Sequence, residues 1–335
     1  MTDPLDKARQ IADDVLFPAA LEVDATGVIP AGHLDLLASA GFYGMAAGDV
    51  PHPALLVETL AGGCLATTFV WMQHHSAVRA VADSERPDLI EEWLDPLRRG
   101  ERRAGVALGG LRPGPPSVRA TAVDGGYELD GSSPWVTGWG MIDVLLTAAR
   151  DASDTAIWLL VDAVPGPTLS VQPLELAAVD ASSTVEVTFE GHVVPAERVA
   201  TTMPYAQWGP RDAAGLRMNG SFALGVAARA IRLLGPSGLH ADLDLLGPSG
   251  LDAELDGCRA ALDAAAPEAL PAARAAASEL AMRAATTLAV ASGARSVLRD
   301  HHAQRLVREA MFLLVFGSRP PIKAALLDLV SRKVG

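Results

Sequence analysis

At 335 residues, half of them apolar and a fifth charged, the chain can bury a large core, and two or three subdomains are expected rather than one. A formal net charge of −13 excludes a nucleic-acid surface, which needs clustered Lys and Arg to neutralise phosphates. The opening MTDPLDKARQIADDV is acidic where a signal peptide is basic and no segment reaches the length of a membrane span, so the expected compartment is the cytoplasm.

Residues 1 to 104 read as a helical domain. Asp3 can cap a first helix whose apolar positions Leu5, Ala8, Ile11, Ala12 and Val15 recur at helical spacing. Ile29-Pro30 restarts the chain, and a second short helix stops at Gly41. The long apolar run from Pro53 must be buried on more than one side, and Gly62-Gly63 divides it into two helices. His74 and His75 lie beside Trp71, Met72 and Val78 and read as core. The following run Arg98 to Arg103 reads as a solvated charged face, with an anion patch as the alternative.

From Ala104 the texture changes to short alternating runs bounded by Gly and Pro. Gly105 to Leu108, Val118 to Val123, Gly126 to Asp130, Val144 to Ala149, Ala156 to Val161 and Thr184 to Phe189 are expected strands, making residues 105 to 205 a β barrel or sandwich. Within it, YELDGSSPWVTGWGMIDVLLTAAR reads as a strand, a Gly-Ser-Ser-Pro turn and a second strand. Alone, that pattern identifies β structure and no chemistry.

Helices return by about Asp212 and fill residues 206 to 335. The segment LLGPSGL occurs twice, at Leu233 to Leu239 and Leu245 to Leu251, a local duplication too short for a solenoid. Near the end, Arg305, Arg308 and Glu309 are spaced to pair on one helical face, with Met311, Leu314 and Val315 filling another. Cys64 and Cys258 are isolated, and His74-His75 and His301-His302 are adjacent rather than a helical turn apart, so no metal site is expected.

The helical, β, helical order and four segments resemble the acyl-CoA dehydrogenase family. FPAALEVDATGVIPAGHLDLLASAGFYGM is similar to its opening helices, GYELDGSSPWVTGWGMIDVLLTAAR to its central β signature, VEVTFEGHVVPAERV to the strand leaving the β domain, and VLRDHHAQRLVREAMFLLVFGS to its closing helices. The resemblance implies an α+β fold with an N-terminal helical domain, a middle β domain and a C-terminal four-helix bundle, binding FAD and an acyl-CoA thioester. By the same resemblance Trp135 and Thr137 match the flavin-contacting Trp and Thr, with Val136 and Gly138 shaping the turn. An aromatic wall and a hydroxyl there tune a cofactor that itself accepts the hydride.

Several positions depart from the family. The Glu that removes the substrate α-proton is expected near Phe316-Gly317, where the chain reads Val315-Phe316-Gly317-Ser318-Arg319, and its alternative site at 214–221 reads AGLRMNGS; neither holds a carboxylate. The Thr/Ser-rich flavin loop is reduced to Ala107-Leu108-Gly109-Gly110, the Arg-Phe-Gly contact with a neighbouring subunit's FAD is replaced by the duplication, and the residues after Gly44 are shortened to AAGDVPHP. The leading expectation is therefore the non-base subunit of a heteromeric acyl-CoA dehydrogenase, whose partner supplies the Glu. The alternatives are a flavin-dependent monooxygenase or oxidase using His301 or His302, and a non-catalytic acyl-CoA or partner-binding scaffold. Arg98 to Arg103, Arg295 and Arg299 are candidate CoA phosphate partners. Fatty-acyl, sterol-side-chain and polyketide thioesters are all compatible substrates.

Overall fold

The computed structural model describes residues 3–235, 250–317 and 319–331. The duplicated LLGPSGL falls mainly at 236–249; those residues and Ser318 are outside the described residues.

The Asp3 carboxylate accepts from the Leu5 amide at 2.8 Å and starts α1 (Pro4–Ile11). The helix continues beyond the apolar positions Leu5 to Val15. It passes through one π-helical turn, Ala12–Leu16, into α2 (Phe17–Thr26) and ends at Gly27, φ +67°. Pro18 has no amide to donate back along the helix, and the widened turn carries the chain past it without a break. There follow α3 (Ala31–Ser39), α4 (Pro53–Gly63), α5 (Leu65–Ala82) and α6 (Pro87–Arg99).

The middle of the chain forms one mixed sheet of β1 (Ala104–Ala107), β2 (Val118–Val123), β3 (Gly126–Val136), β4 (Val144–Arg150), β5 (Thr155–Asp162), β6 (Leu169–Pro173), β7 (Val185–Pro195) and β8 (Val199–Pro204). Its order is β6-β7-β3-β2-β4-β5-β8, with β1 parallel to β4. The expected Gly-Ser-Ser-Pro turn is not a turn. Residues 131–134 continue β3 against β7, and bulges after Leu129 and Ser133 take up the irregularity. Gly131 permits this at φ +115°, where a Cβ would sit 2.0 Å from the Ser117 carbonyl oxygen. β6 and β8 are edge strands with weak alternation in sequence, which is why composition alone does not announce them.

The remaining helices are α7 (Trp208–Ala214), α8 (Leu216–Leu234), α9 (Leu251–Ala264), α10 (Leu270–Ser292), α11 (His302–Val315) and α12 (Pro320–Ser331). The N-terminal and C-terminal helices share one core. A Cβ on Gly225 of α8 would lie 2.3 Å from the Glu58 carbonyl oxygen of α4, and one on Gly63 would lie 3.0 Å from the Ala12 backbone. Gly62-Gly63 therefore both divides two helices and lets three helical segments touch.

The expected faces of α11 are partly exchanged. Met311 and Val315 are 43% and 68% exposed, while Arg305 and Glu309 are buried with Leu306, Ala310 and Leu313. A second cation, Arg274 of α10, is also buried. It donates to the Leu313 and Phe316 carbonyls at 2.9 and 3.0 Å and to the Ser278 hydroxyl, and no carboxylate pairs with it among the described residues. Burial lowers its pKa to about 10, so it stays charged and completes the C-terminal end of α11. Arg274→Met leaves those carbonyls buried without a donor, and a loss of about 1–3 kcal/mol is expected in urea unfolding followed by far-ultraviolet circular dichroism. An unchanged midpoint would exclude this capping role.

Candidate functional site

The site is built where β3 ends. The bulge after Ser133 holds Trp135 at φ +67° and leaves it 61% exposed, while Val136 is fully buried in the β core and Thr137 is 3% exposed. Gly138, φ +91°, turns the chain onto α5, where a Cβ would lie 3.2 Å from Val70 Cγ1 and 3.1 Å from Ile142 Cγ2.

A loop before β7 is laced to this turn. The Gly138 amide donates to the Ser182 carbonyl at 2.8 Å and the Trp139 amide to the Ser183 carbonyl at 3.1 Å. The Thr137 hydroxyl lies 3.2 Å from that of Thr184, which lies 2.8 Å from that of Ser182. Val179 and Ser183 have φ values of +54° and +46°. With Trp135 they are three of the five non-glycine residues at positive φ among the described residues, all in one place. A β-branched or aromatic residue in that region stores roughly 1–3 kcal/mol of strain that the surroundings must hold.

What holds it comes from other elements. Asp180 accepts from the Leu176 amide at 2.8 Å. Arg308 of α11 donates to both oxygens of Asp24 on α2 and to the Ala177 carbonyl at 3.1 Å. One guanidinium thus joins α2, α11 and the loop that carries Ser182 and Thr184.

The glycine pair in Ala107-Leu108-Gly109-Gly110 has a steric cause. A Cβ on Gly109 would meet Val118 Cγ2 at 2.4 Å and the Ser132 carbonyl oxygen at 2.9 Å, and one on Gly110 the Ala148 carbonyl oxygen at 2.6 Å. No Ser or Thr fits there, and the Gly109 amide instead donates to the Ser133 hydroxyl at 3.1 Å.

The remaining candidates lie elsewhere or are committed. The His301 side chain caps α11 by accepting from the Ala303 amide at 3.2 Å. His302 stacks on Phe17 of α2 at 4.1 Å, with its Nδ1 3.3 Å from Arg305, and burial, reinforced by Arg305, Arg229 and His301, lowers its pKa to about 3. Phe316, beside Gly317, packs edge-on against Phe69 and Phe222 and stacks on Phe312, so the expected position of the base is an aromatic cluster. Arg98 is bonded twice to Asp49, Arg99 to Glu101, and Arg103 to Asp35, while Arg102 lies over the Trp93 ring. That run is a self-neutralised face. Arg295 and Arg299 are exposed and carry no ion pair among the described residues. No group of His, Cys, Asp and Glu able to hold a metal occurs among the described residues, and none of their helices is long and apolar enough to cross a membrane.

The sequence reading did not single out Ser182, Thr184 and Arg308, which the structure brings to this candidate site. The available signal was the polar run Ala181-Ser182-Ser183-Thr184 just before a strand that pairs with β3.

No family model matches the chain. The benzylmalonyl-CoA dehydrogenase of Aromatoleum aromaticum is 28% identical over 207 residues, which are 57% of this chain and 54% of that protein. The chain spans about half the length of the curated relatives it matches. The butyryl-CoA dehydrogenase structure from Megasphaera elsdenii superposes with a TM-score of 0.83 at 18% identity, covering 99% of both chains. A glutaryl-CoA dehydrogenase from Mycobacterium smegmatis in complex with FADH2 gives 0.81 at 16% identity, covering 99% of this chain and 94% of that one.

Proposed function

We propose that the chain is a member of the acyl-CoA dehydrogenase family, that it binds FAD against Trp135 and that it works as the non-base subunit of a heteromeric acyl-CoA dehydrogenase. The observation that carries the flavin reading is Trp135, a large aromatic held at positive φ and 61% exposed beside a threonine hydroxyl. A strained, solvent-facing indole has no packing role to explain it, and it suits the face of a planar ring. Val136 anchors the wall from inside, Gly138 gives close approach, and Thr137 supplies the polar contact. Bound there, FAD supplies the two-electron acceptor for oxidation of an acyl-CoA thioester. Arg295 and Arg299, exposed and without ion-pair partners among the described residues, are the cations assigned to phosphate groups.

The heteromeric role is supported by the lack of a proton acceptor in the expected places. The Phe316-Gly317 turn offers aromatic carbon, His301 is an N-cap, and an imidazole with a pKa of about 3 is a weak base at neutral pH. A partner subunit of the same family then supplies the Glu.

Titration of the purified protein with FAD should give a yellow complex, and Trp135→Ala should weaken it about tenfold through loss of stacking. Acyl-CoA oxidation should require co-expression with a second dehydrogenase-like subunit. A colourless protein in excess FAD would overturn the flavin reading, and full activity of the lone chain would overturn the heteromeric one.

A further inference from the structure

We propose that Glu309, Asp24 and Cys64 bind one buried water molecule in a cavity between α2, the joint of α4 and α5, α11 and the loop before β7. The proposal goes beyond the flavin reading and does not depend on it.

Two observations meet at this place. Glu309 is 4% exposed, and one of its oxygens is engaged: Oε1 accepts from Arg305 at 2.5 Å, while Oε2 is buried with no hydrogen-bond partner among the described residues. A carboxylate oxygen taken out of water is costly to leave unpaired. Beside it, a cavity lined by Val23, Asp24, Cys64, Val179, Ala181 and Glu309 offers about 10 Å³ to the centre of a water molecule, which is room for one.

The lining supplies the partners that a water needs. A water has two protons to give and two lone pairs, and buried waters make about three bonds. Glu309 Oε2 takes one proton. The second acceptor is Asp24, whose two oxygens accept from Arg308 and keep further lone pairs. Cys64, 1% exposed, is the donor. The Thr67 hydroxyl donates to its Sγ at 3.4 Å, so the S–H proton remains to give. Burial, followed by the nearby Glu309, pushes the thiol pKa up and keeps that proton in place.

Charge selects water over a cation. Glu309 and Asp24 are already balanced by Arg305 and Arg308, and no group of His, Cys, Asp and Glu able to hold a metal occurs among the described residues. Held there, the water joins two helices to the loop at Val179, φ +54°. It supports the same strained loop that Arg308 grips at the Ala177 carbonyl.

A crystal structure of the unaltered protein at a resolution that shows ordered waters tests the proposal. One water is expected about 2.7 Å from Glu309 Oε2 and within hydrogen-bond reach of Asp24 and Cys64. Val23→Ile adds a methylene to the lining and should displace it, so that oxygen-17 relaxation dispersion counts one long-lived water fewer than in the unaltered protein. A dry cavity, a direct bond from Cys64 to Glu309, or equal water counts in the two folded proteins would overturn the proposal. So would a cation in the cavity, seen as an anomalous peak after soaking in rubidium chloride. If Val23→Ile fails to fold, the crystal structure of the unaltered protein decides between these outcomes by itself.

Discussion

Between pH 6.5 and pH 5 the folded protein is expected to lose about 1.4 kcal/mol of stability per pH unit for each of His74 and His75. Both are buried, at 1% and 4% exposure. Nδ1 of His74 accepts from the Ala104 amide at 3.0 Å, which leaves Nε2–H to donate to the Leu97 carbonyl at 3.0 Å and fixes a neutral tautomer. Burial is the main cause that lowers its pKa to about 3, aided by Arg103 and opposed by the Leu97 carbonyl. His75 is driven well below the usual range by burial, then by His74 and Arg79. As both folded pKa values are depressed, the unfolded chain takes up protons near pH 6.5 that the folded chain refuses. Their stabilisation is complete above pH 6.5 and is lost as pH falls toward the folded values. His302 adds in the same direction.

His75 separates this effect from the titration of surface carboxylates. Both its ring nitrogens are buried without a hydrogen-bond partner among the described residues, and it meets Trp71 edge-on at 4.6 Å. His75→Leu should therefore raise stability at pH 7 by about 1 kcal/mol, by removing unsatisfied polar atoms, and should flatten the acid slope by one proton. Urea midpoints of both proteins at pH 7, 6 and 5 test this. Parallel slopes would show that His75 does not remain neutral in the fold.

Glu309→Ala is expected to cost about 3–5 kcal/mol, among the largest effects of any single substitution in the chain. Arg305 and Glu309 are 1% and 4% exposed and are bonded at 2.5 Å, one helical turn apart. Burial pushes the Glu309 carboxyl up against the pull of Arg305. Without the carboxylate, Arg305 keeps its contacts with the neutral His302 and the Phe17 ring, has no other carboxylate partner among the described residues, and is left a buried charge uncompensated. Replacing both members, Arg305→Met with Glu309→Leu, should recover most of the loss, because the desolvation cost of both charges disappears with the pair. A double variant as unstable as Glu309→Ala would show that the pair is held for reasons other than charge compensation. Thermal and urea unfolding of the two variants decide it.

Much of the framework follows from local chemistry. Asp3, Gly27 and Gly41 bound helices because capping and positive φ are properties of those residues and their immediate neighbours. The division of α4 from α5 at Gly62-Gly63 and the strand Val118–Val123 are similarly legible from local pattern. The amino-acid order also picks out Trp135 to Gly138 through its resemblance to a known β signature.

Other features depend on what the chain meets after folding. Gly-Ser-Ser-Pro has the composition of a turn, and only the ladder with β7 makes it strand. The helical spacing of Arg305 and Glu309 identifies a pair but not its burial, because a period of 3.6 marks two faces and tertiary packing chooses which one turns inward. The hydroxyl line joins Thr137 to residues 45 and 47 positions later, and Arg308 closes on Asp24 from 284 positions away. Such contacts have no local period to announce them. The sequence by itself determined most of the elements and singled out Trp135 as a candidate; the tertiary structure decided which polar groups lie near its turn, since hydrogen bonds act over about 3 Å of space whatever the separation along the chain.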